Sequence, residues 1–444
     1  MLFKNYNDLI LNGQTPRLQQ KRKDALDMLS AAVDAVQPSR VVKDVLCGKQ
    51  LVFASETIDL STFDHLYVVG FGKASVGMAQ AVCDVVTVKK GVVITNDPSA
   101  VITNNSIEVI TGGHPLPNKG SISGTEKILN LLGQCTENDC VLVLVSGGGS
   151  SLFCKPRVPL NDLQKTNDML LRSGASIDEL NTIRKHLSFV KGGQLALYTK
   201  SVMVSLIISD IVHDPITSIA SGPTSPDPTT FSDTRDILER YELWQTIPTA
   251  VKTVIMEGIA GRISETLKKN NPVFETVFNF IIANNERACQ GAMEKAKYLG
   301  YDARLMTTSI TGEARVIGKH LINGLKKSPI NGRTVVITSG ETTVTVQDDG
   351  TGGRNQELVL SCVEEIAGNE LVIASFATDG VDGNSDAAGA LADGFTLTRA
   401  LKKKLNPSHF LEQNNSNIFF RALNDTLLTG LTGTNVMDIQ LMIL

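Results

Sequence analysis

The chain has 444 residues, with 42 Lys and Arg against 46 Asp and Glu, for a formal net charge of −4. That balance gives no electrostatic reason to expect nucleic acid or an anionic membrane as a partner. The longest apolar runs, such as residues 141–145, fall far short of the roughly 20 residues that a bilayer span needs. The opening stretch MLFKNYNDLILNGQ has no apolar core of a secretion signal, and the seven cysteines are scattered with no CxxC pair. Together these features predict reduced thiols in a cytoplasmic protein rather than a disulfide framework or a zinc site.

Residues 17–36 are expected to form a helix. Ala25, Met28, Leu29, Ala32, Val33 and Val36 repeat at the spacing of one buried helical face. Short apolar runs follow at 66–70, 91–95, 107–111, 141–145 and 204–209, separated by helical patterns. Apolar runs buried on both faces and alternating with helices indicate a parallel sheet in an α/β layer fold. A second series begins near Pro272, with runs at 277–283, 303–307, 334–338 and 371–375. Residues 224–271 carry Pro226, Pro228, the single Trp244 and Pro248, then an amphipathic helix, and read as a crossing or linker region. The expected organisation is therefore two α/β units, 1–271 (including that linker) and 272–444, with a cleft between them. Ligands in such folds bind on the loops at the carboxyl ends of strands.

Glycine is close to its average abundance, at 37 residues, but it clusters on those loops. After the run at 66–70 comes Gly70-Phe71-Gly72-Lys73-Ala74-Ser75, which opens a helix predicted over 74–86. Such a turn offers backbone N–H groups at a positive helix end, and Lys73 adds a cation that can meet a transferring phosphoryl group. The run is neither GxGxxG nor a Walker P-loop. The strand at 141–145 leads straight into Ser146-Gly147-Gly148-Gly149-Ser150-Ser151. Three glycines in a row cost backbone entropy without packing gain, so this loop reads as a ligand cradle of N–H and O–H donors. A nucleophilic serine is disfavoured because GxSxG is absent.

Further candidates lie at other strand ends. His114 follows Gly112-Gly113, Asn181, Arg184 and Lys185 share one predicted helix, and Asp210 follows the run at 204–209. Asp210 suits Mg²⁺, which takes few carboxylates and leaves room for phosphate oxygens. In the second unit Glu341 follows a strand, Arg354 sits at a glycine-flanked helix start, and Asp379 opens the Asx-rich TDGVDGNSD stretch. Arg354 is expected to fork onto a phosphate.

Nine blocks in order, including VVGFGKAS, GGHPLPNKGS, VLVSGGGSSL, LNTIRKHLSFVKGGQLA, IISDIVHDPITSIASGPT, GTGGRNQEL and ATDGVDGNSDAAGA, resemble the glycerate 2-kinase family. Its members join a glycerate-kinase N-terminal domain to a MOFRL domain, and the likeness spans essentially the whole chain. The resemblance implies a larger Rossmann-like three-layer parallel-sheet domain, a smaller α/β domain and an active site in the cleft. It implies transfer of the ATP γ-phosphoryl group to the 2-hydroxyl of D-glycerate with Mg²⁺, by a monomer or homo-oligomer. It puts Lys73 and Arg354 in catalysis and the loop from Ser146 to Ser151 against phosphate or glycerate. Gly70, Gly72 and Glu341 join the nucleotide side. His114, Asn181, Arg184 and Lys185 go to the acceptor. Asp210 is the expected base or metal ligand, with Glu341 and Asp379 as second choices. Two rivals remain open on the residues alone. One is a hydroxypyruvate reductase, which lacks its dinucleotide fingerprint here. The other is a non-catalytic binder of phosphorylated metabolites on the same scaffold.

Overall fold

The computed structural model describes residues 1–327 and 332–444. Contacts divide the chain into two compact units, Pro38–Ile282 and Met1–Gln37 together with Ala283–Leu444.

The first unit is built on six strands: β1 Leu66–Phe71, β2 Lys90–Thr95, β3 Ile107–Thr111, β4 Cys140–Val145, β5 Val202–Ile208 and β6 Val277–Ala283. Their order in the sheet is β3-β2-β1-β4-β5-β6, and the pairs from β3 through β5 are all parallel. Every residue of β1 and β4 is buried, as the continuous apolar runs LYVVGF and CVLVLV require of central parallel strands. The chain runs outward from β1 to β3, then crosses back to β4, so the strand order reverses between β1 and β4. That reversal opens a crevice at the carboxyl ends of the two strands. Phe71, the last residue of β1, stacks on Phe153 with ring centroids 4.2 Å apart and closes the core beneath it.

Residues 224–271 are not a linker. They supply the helices Phe231–Arg240 and Thr249–Ile259, whose Ile237, Leu238, Val251 and Ile255 join Leu163, Leu170, Leu180 and Ile183 in one core. Of the prolines that suggest a linker, Pro248 directly precedes Thr249–Ile259, while Thr230 caps Phe231–Arg240. The strand 277–283, expected in the second unit, is the sixth strand of the first sheet.

The second unit has a mixed sheet of β7 Asp302–Glu313, β8 Thr334–Thr343, β9 Val372–Ala377, β10 Gly389–Asp393, β11 Thr426–Leu427 and β12 Asp438–Ile443. The order is β7-β8-β12-β9-β10-β11, with only β7 and β8 parallel. The C-terminal strand β12 is inserted at the centre and fully buried. The N-terminal helix Pro16–Ala35 also belongs here, which corrects the boundary expected at 271/272. The cause is a long-range charge cluster. Arg22 has no exposed surface, and it donates to Asp393 at 2.5 Å and to Asp425 at 2.8 Å. Gly291 lets the helix Asn285–Tyr298 approach it closely, since a Cβ there would lie 2.6 Å from the Ala35 Cβ.

Candidate active site

The loops after β1 and β4 interlock at the strand reversal. Lys73 N–H donates to the Gly147 carbonyl at 2.9 Å, and Ala74 N–H to Ser146 Oγ at 3.0 Å. Gly72 is required here: its φ is +132°, and a Cβ would lie 2.2 Å from Ser146 Oγ. Ser75 Oγ donates back to the Gly72 carbonyl at 2.7 Å and seats the helix Ser75–Cys83. Gly148, at φ +82°, leaves room for two functional side chains. A Cβ there would lie 2.9 Å from the His114 ring and 3.5 Å from Lys73 Cγ. Lys73, His114 and the loop from Ser146 to Ser151 are thus brought together. Among the described residues, the Gly147 and Gly148 N–H groups donate to no protein acceptor, the state a phosphate cradle needs.

A cavity of about 320 Å³ adjoins this loop, lined by His114, Ser150, Ser151, Arg184 and Lys191 against apolar Leu163 and Leu187. Its volume is at the small end of ligand pockets, roughly 300–1,000 Å³. Lys191 is only 3 % exposed, and its ammonium donates to the Ser150 and Phe153 carbonyls at 2.6 and 3.1 Å. Burial pulls this ammonium down to about 8. Arg184 Nε donates to Asn167 Oδ1 at 3.2 Å, and burial lowers the guanidinium below its ordinary value.

Sequence reasoning missed Lys191, although VKGGQ places a lysine between a buried valine and two glycines at positive φ. It also missed Ser221. Ser221 Oγ pairs with Ser150 Oγ at 2.9 Å and donates to Asn181 Oδ1 at 2.9 Å. Asn181 therefore sits behind Ser221 and holds Ser150 through it. Ala220, Ser221 and Gly222 all have positive φ, +50°, +61° and +58°. Two consecutive non-glycine residues in that region are strained, at roughly 1–3 kcal/mol each, and such strain concentrates at functional sites. A local pattern in IASGPT does not announce it.

Lys185 does not line this cavity. It lies buried against Asp227 at 3.3 Å, where it neutralises a carboxylate that burial alone would raise, and its role is structural. Asp210 is half-buried just beyond β5, in a loop where His213 and Asp214 have φ of +66° and +52°. Asp379 accepts the Val381 N–H at 3.0 Å in an Asx turn of the second unit. No group of three or more His, Cys, Asp or Glu that could hold a metal occurs among the described residues. A cation beside Asp210 would take most of its ligands from phosphate oxygens and water, as magnesium commonly does.

Arg354 opens the helix Arg354–Cys362 but is not poised as expected. It forks onto Asp438 at 2.5 and 3.0 Å and reaches Glu341 at 2.6 Å. Although burial opposes it, Asp438 and Glu341 raise the guanidinium above its ordinary value. Burial pushes the Asp438 carboxyl up to about 6, against the pull of Arg354. The helix start is also filled: Asn355 and Gln356 N–H donate to the Asp382 carboxylate at 3.0 and 2.9 Å. Glu341 is accordingly a partner of Arg354 in this unit. Asp382 and Asp438 come from the motifs TDGVDGNSD and NVMDIQL, far from Arg354 in sequence.

A family model described as a domain of unknown function (DUF4147) matches residues 24–256, and one described as the MOFRL family matches residues 334–438. The chain is 39% identical over 430 residues to a glycerate 2-kinase of Pyrococcus horikoshii, covering 95% of this chain and 97% of that protein. It is 36% identical over 429 residues to a D-glycerate 2-kinase of Thermotoga maritima, covering 94% and 97%. A crystal structure of glycerate kinase from Thermotoga maritima superposes with a TM-score of 0.84, covering 96% of this chain and all of that one.

Proposed function

The chain belongs to the glycerate 2-kinase family, and from that premise we propose that it transfers the γ-phosphoryl group of ATP to the 2-hydroxyl of D-glycerate, giving 2-phosphoglycerate and ADP. The observation that carries this reading is the meeting of Lys73, His114 and Gly148 at the strand reversal, beside a small cavity lined by cations.

Phosphoryl transfer depends on positioning and charge neutralisation more than on covalent chemistry. The loop from Ser146 to Ser151 cradles phosphate oxygens with the Gly147 and Gly148 N–H groups. Gly72 lets the two loops approach closely enough to form that cradle, and Gly70, at the end of the strand before it, is assigned with it to the nucleotide side. Lys73 stabilises the charge on the transferring group. Arg354, oriented by Glu341 and Asp438, is the second cation assigned to the transferring group. His114 and Arg184 hold the acceptor, while Asn181 and Ser221 fix Ser150. When bound, magnesium would neutralise phosphate charge; Asp210 is its protein ligand or receives the 2-hydroxyl proton, with Glu341 and Asp379 as the alternatives.

The test is to incubate the protein with ATP, Mg²⁺ and D-glycerate and follow ADP by a coupled assay. ADP release that depends on D-glycerate is expected. Oxidation of NADH by hydroxypyruvate without ATP would replace this reading with a reductase. Ligand-induced stabilisation without ADP release would replace it with a binding protein.

A further inference from the structure

Lys191 and Arg184 stand out because of what does not surround them. Both line the same cavity, and no Asp or Glu is among its lining residues. Neither forms an ion pair with a carboxylate among the described residues. Buried cations are ordinarily paired, because an unpaired charge away from water is costly. Here the pairing is left undone on two neighbouring side chains.

The remaining donor capacity is specific. An ammonium has three N–H donors, and Lys191 uses two on the Ser150 and Phe153 carbonyls. One remains. A guanidinium has five donors in a planar fork, and only the Arg184 Nε–H is taken, by Asn167. Its two terminal nitrogens remain, the arrangement that grips a carboxylate with two parallel bonds. Leu163 and Leu187 line the same space, which keeps water from screening these charges.

We infer that Arg184 and Lys191 form the subsite for the carboxylate of the acceptor acid, and that this subsite selects hydroxy acids over the corresponding alcohols. The inference rests on the kinase reading above for the identity of the acid. Arg184 forks onto the carboxylate and Lys191 supplies one further bond. Because Lys191 also grips the Ser150 and Phe153 carbonyls, it fixes the distance between the acceptor and the phosphate cradle. The acid is thereby held beside Ser150 and Gly148, which line the same cavity.

The experiment uses the full chain and three variants, Arg184→Gln, Lys191→Met and Lys191→Arg. KM for D-glycerate and for ATP is measured in each, with glycerol as the acceptor that lacks the carboxylate. Arg184→Gln and Lys191→Met are expected to raise KM for D-glycerate about 10- to 100-fold, the range for losing one hydrogen bond to a charged group. KM for ATP should stay within about twofold, and the preference for D-glycerate over glycerol should shrink by the same factor as the KM rise. Lys191→Arg should restore part of the loss. Should Lys191→Met fail to fold, Arg184→Gln carries the test alone. An unchanged KM for D-glycerate overturns the proposal. So does a matching rise in KM for ATP, which would assign the cations to nucleotide phosphate. Calorimetric titration of D-glycerate without nucleotide separates this inference from the kinase reading. If the wild-type protein lacks kinase activity yet binds D-glycerate, and Arg184→Gln abolishes that binding, the subsite stands and the kinase reading falls.

Discussion

The loop after β4 and the loop ahead of the helix Arg354–Cys362 look alike in sequence. Each is glycine-rich, each opens a helix, and each has a cation at hand. Their surroundings differ. Around Ser146–Ser151 the Gly147 and Gly148 N–H groups have no protein acceptor, and Lys191 and Arg184 have no carboxylate partner among the described residues. Around Arg354 carboxylates are already in place: Asp382 caps the helix, and Asp438 and Glu341 hold the guanidinium. A glycine-rich turn with a cation therefore works differently where the fold withholds the counter-ion and where it supplies one. The first loop is built to receive charge from a ligand. The second is pre-neutralised, and its arginine is held rigidly in one orientation.

The sharpest way to break this contrast is at Lys73. Lys73→Ala should lower kcat by about 10³-fold, as for loss of one preorganised charge-stabilising donor, with little change in Tm, because the side chain is half-buried at a loop. Steady-state kinetics and thermal unfolding check both parts. Arg354→Ala should lower kcat by about 10²-fold and also lower Tm, since it strands the buried Asp438 carboxylate; breaking such a pair costs roughly 3–5 kcal/mol. Adding Asp438→Asn should recover Tm but not kcat. Equal behaviour of the Lys73 and Arg354 variants in Tm would erase the contrast drawn here.

Smaller effects sharpen it. The Lys191 ammonium sits near 8, facing Arg184, Cys154 and His114 in the cavity. Its cationic form binds an acid, so that contribution is present below pH 8 and is lost as pH rises through 8. KM for D-glycerate should rise about tenfold between pH 7 and 9, and Lys191→Arg should flatten the profile. Smallest is Ser221→Ala. It frees Ser150 from Asn181 without moving the backbone, and it should change kcat/KM by about threefold.

Local patterns made the first sheet legible. The runs at β1, β2, β4 and β5 are apolar on both faces, and their loops carry the glycines that the strand reversal brings together. What stayed hidden depends on partners distant in sequence. Nothing near Arg22 tells of Asp393 and Asp425, so the N-terminal helix was placed with the wrong unit. The central position of β12 follows from pairing with β8 and β9 rather than from any property of DIQLMI itself. The same cause explains the site. Lys73 and the Ser146–Ser151 loop are local signals, and both were read. The neutralisation of Arg354 and Lys185, and the missing neutralisation of Lys191, are properties of contacts across more than 35 residues.

Phosphorus NMR of the products formed from ATP, Mg²⁺ and D-glycerate tests the proposed reaction most directly. The expected spectrum shows ADP and 2-phosphoglycerate in equal amounts, with none formed by Lys73→Ala on the same timescale. Phosphate on the 3-hydroxyl, or ATP consumed without any phosphorylated acid, would contradict the assignment of the acceptor to the cavity beside Ser150.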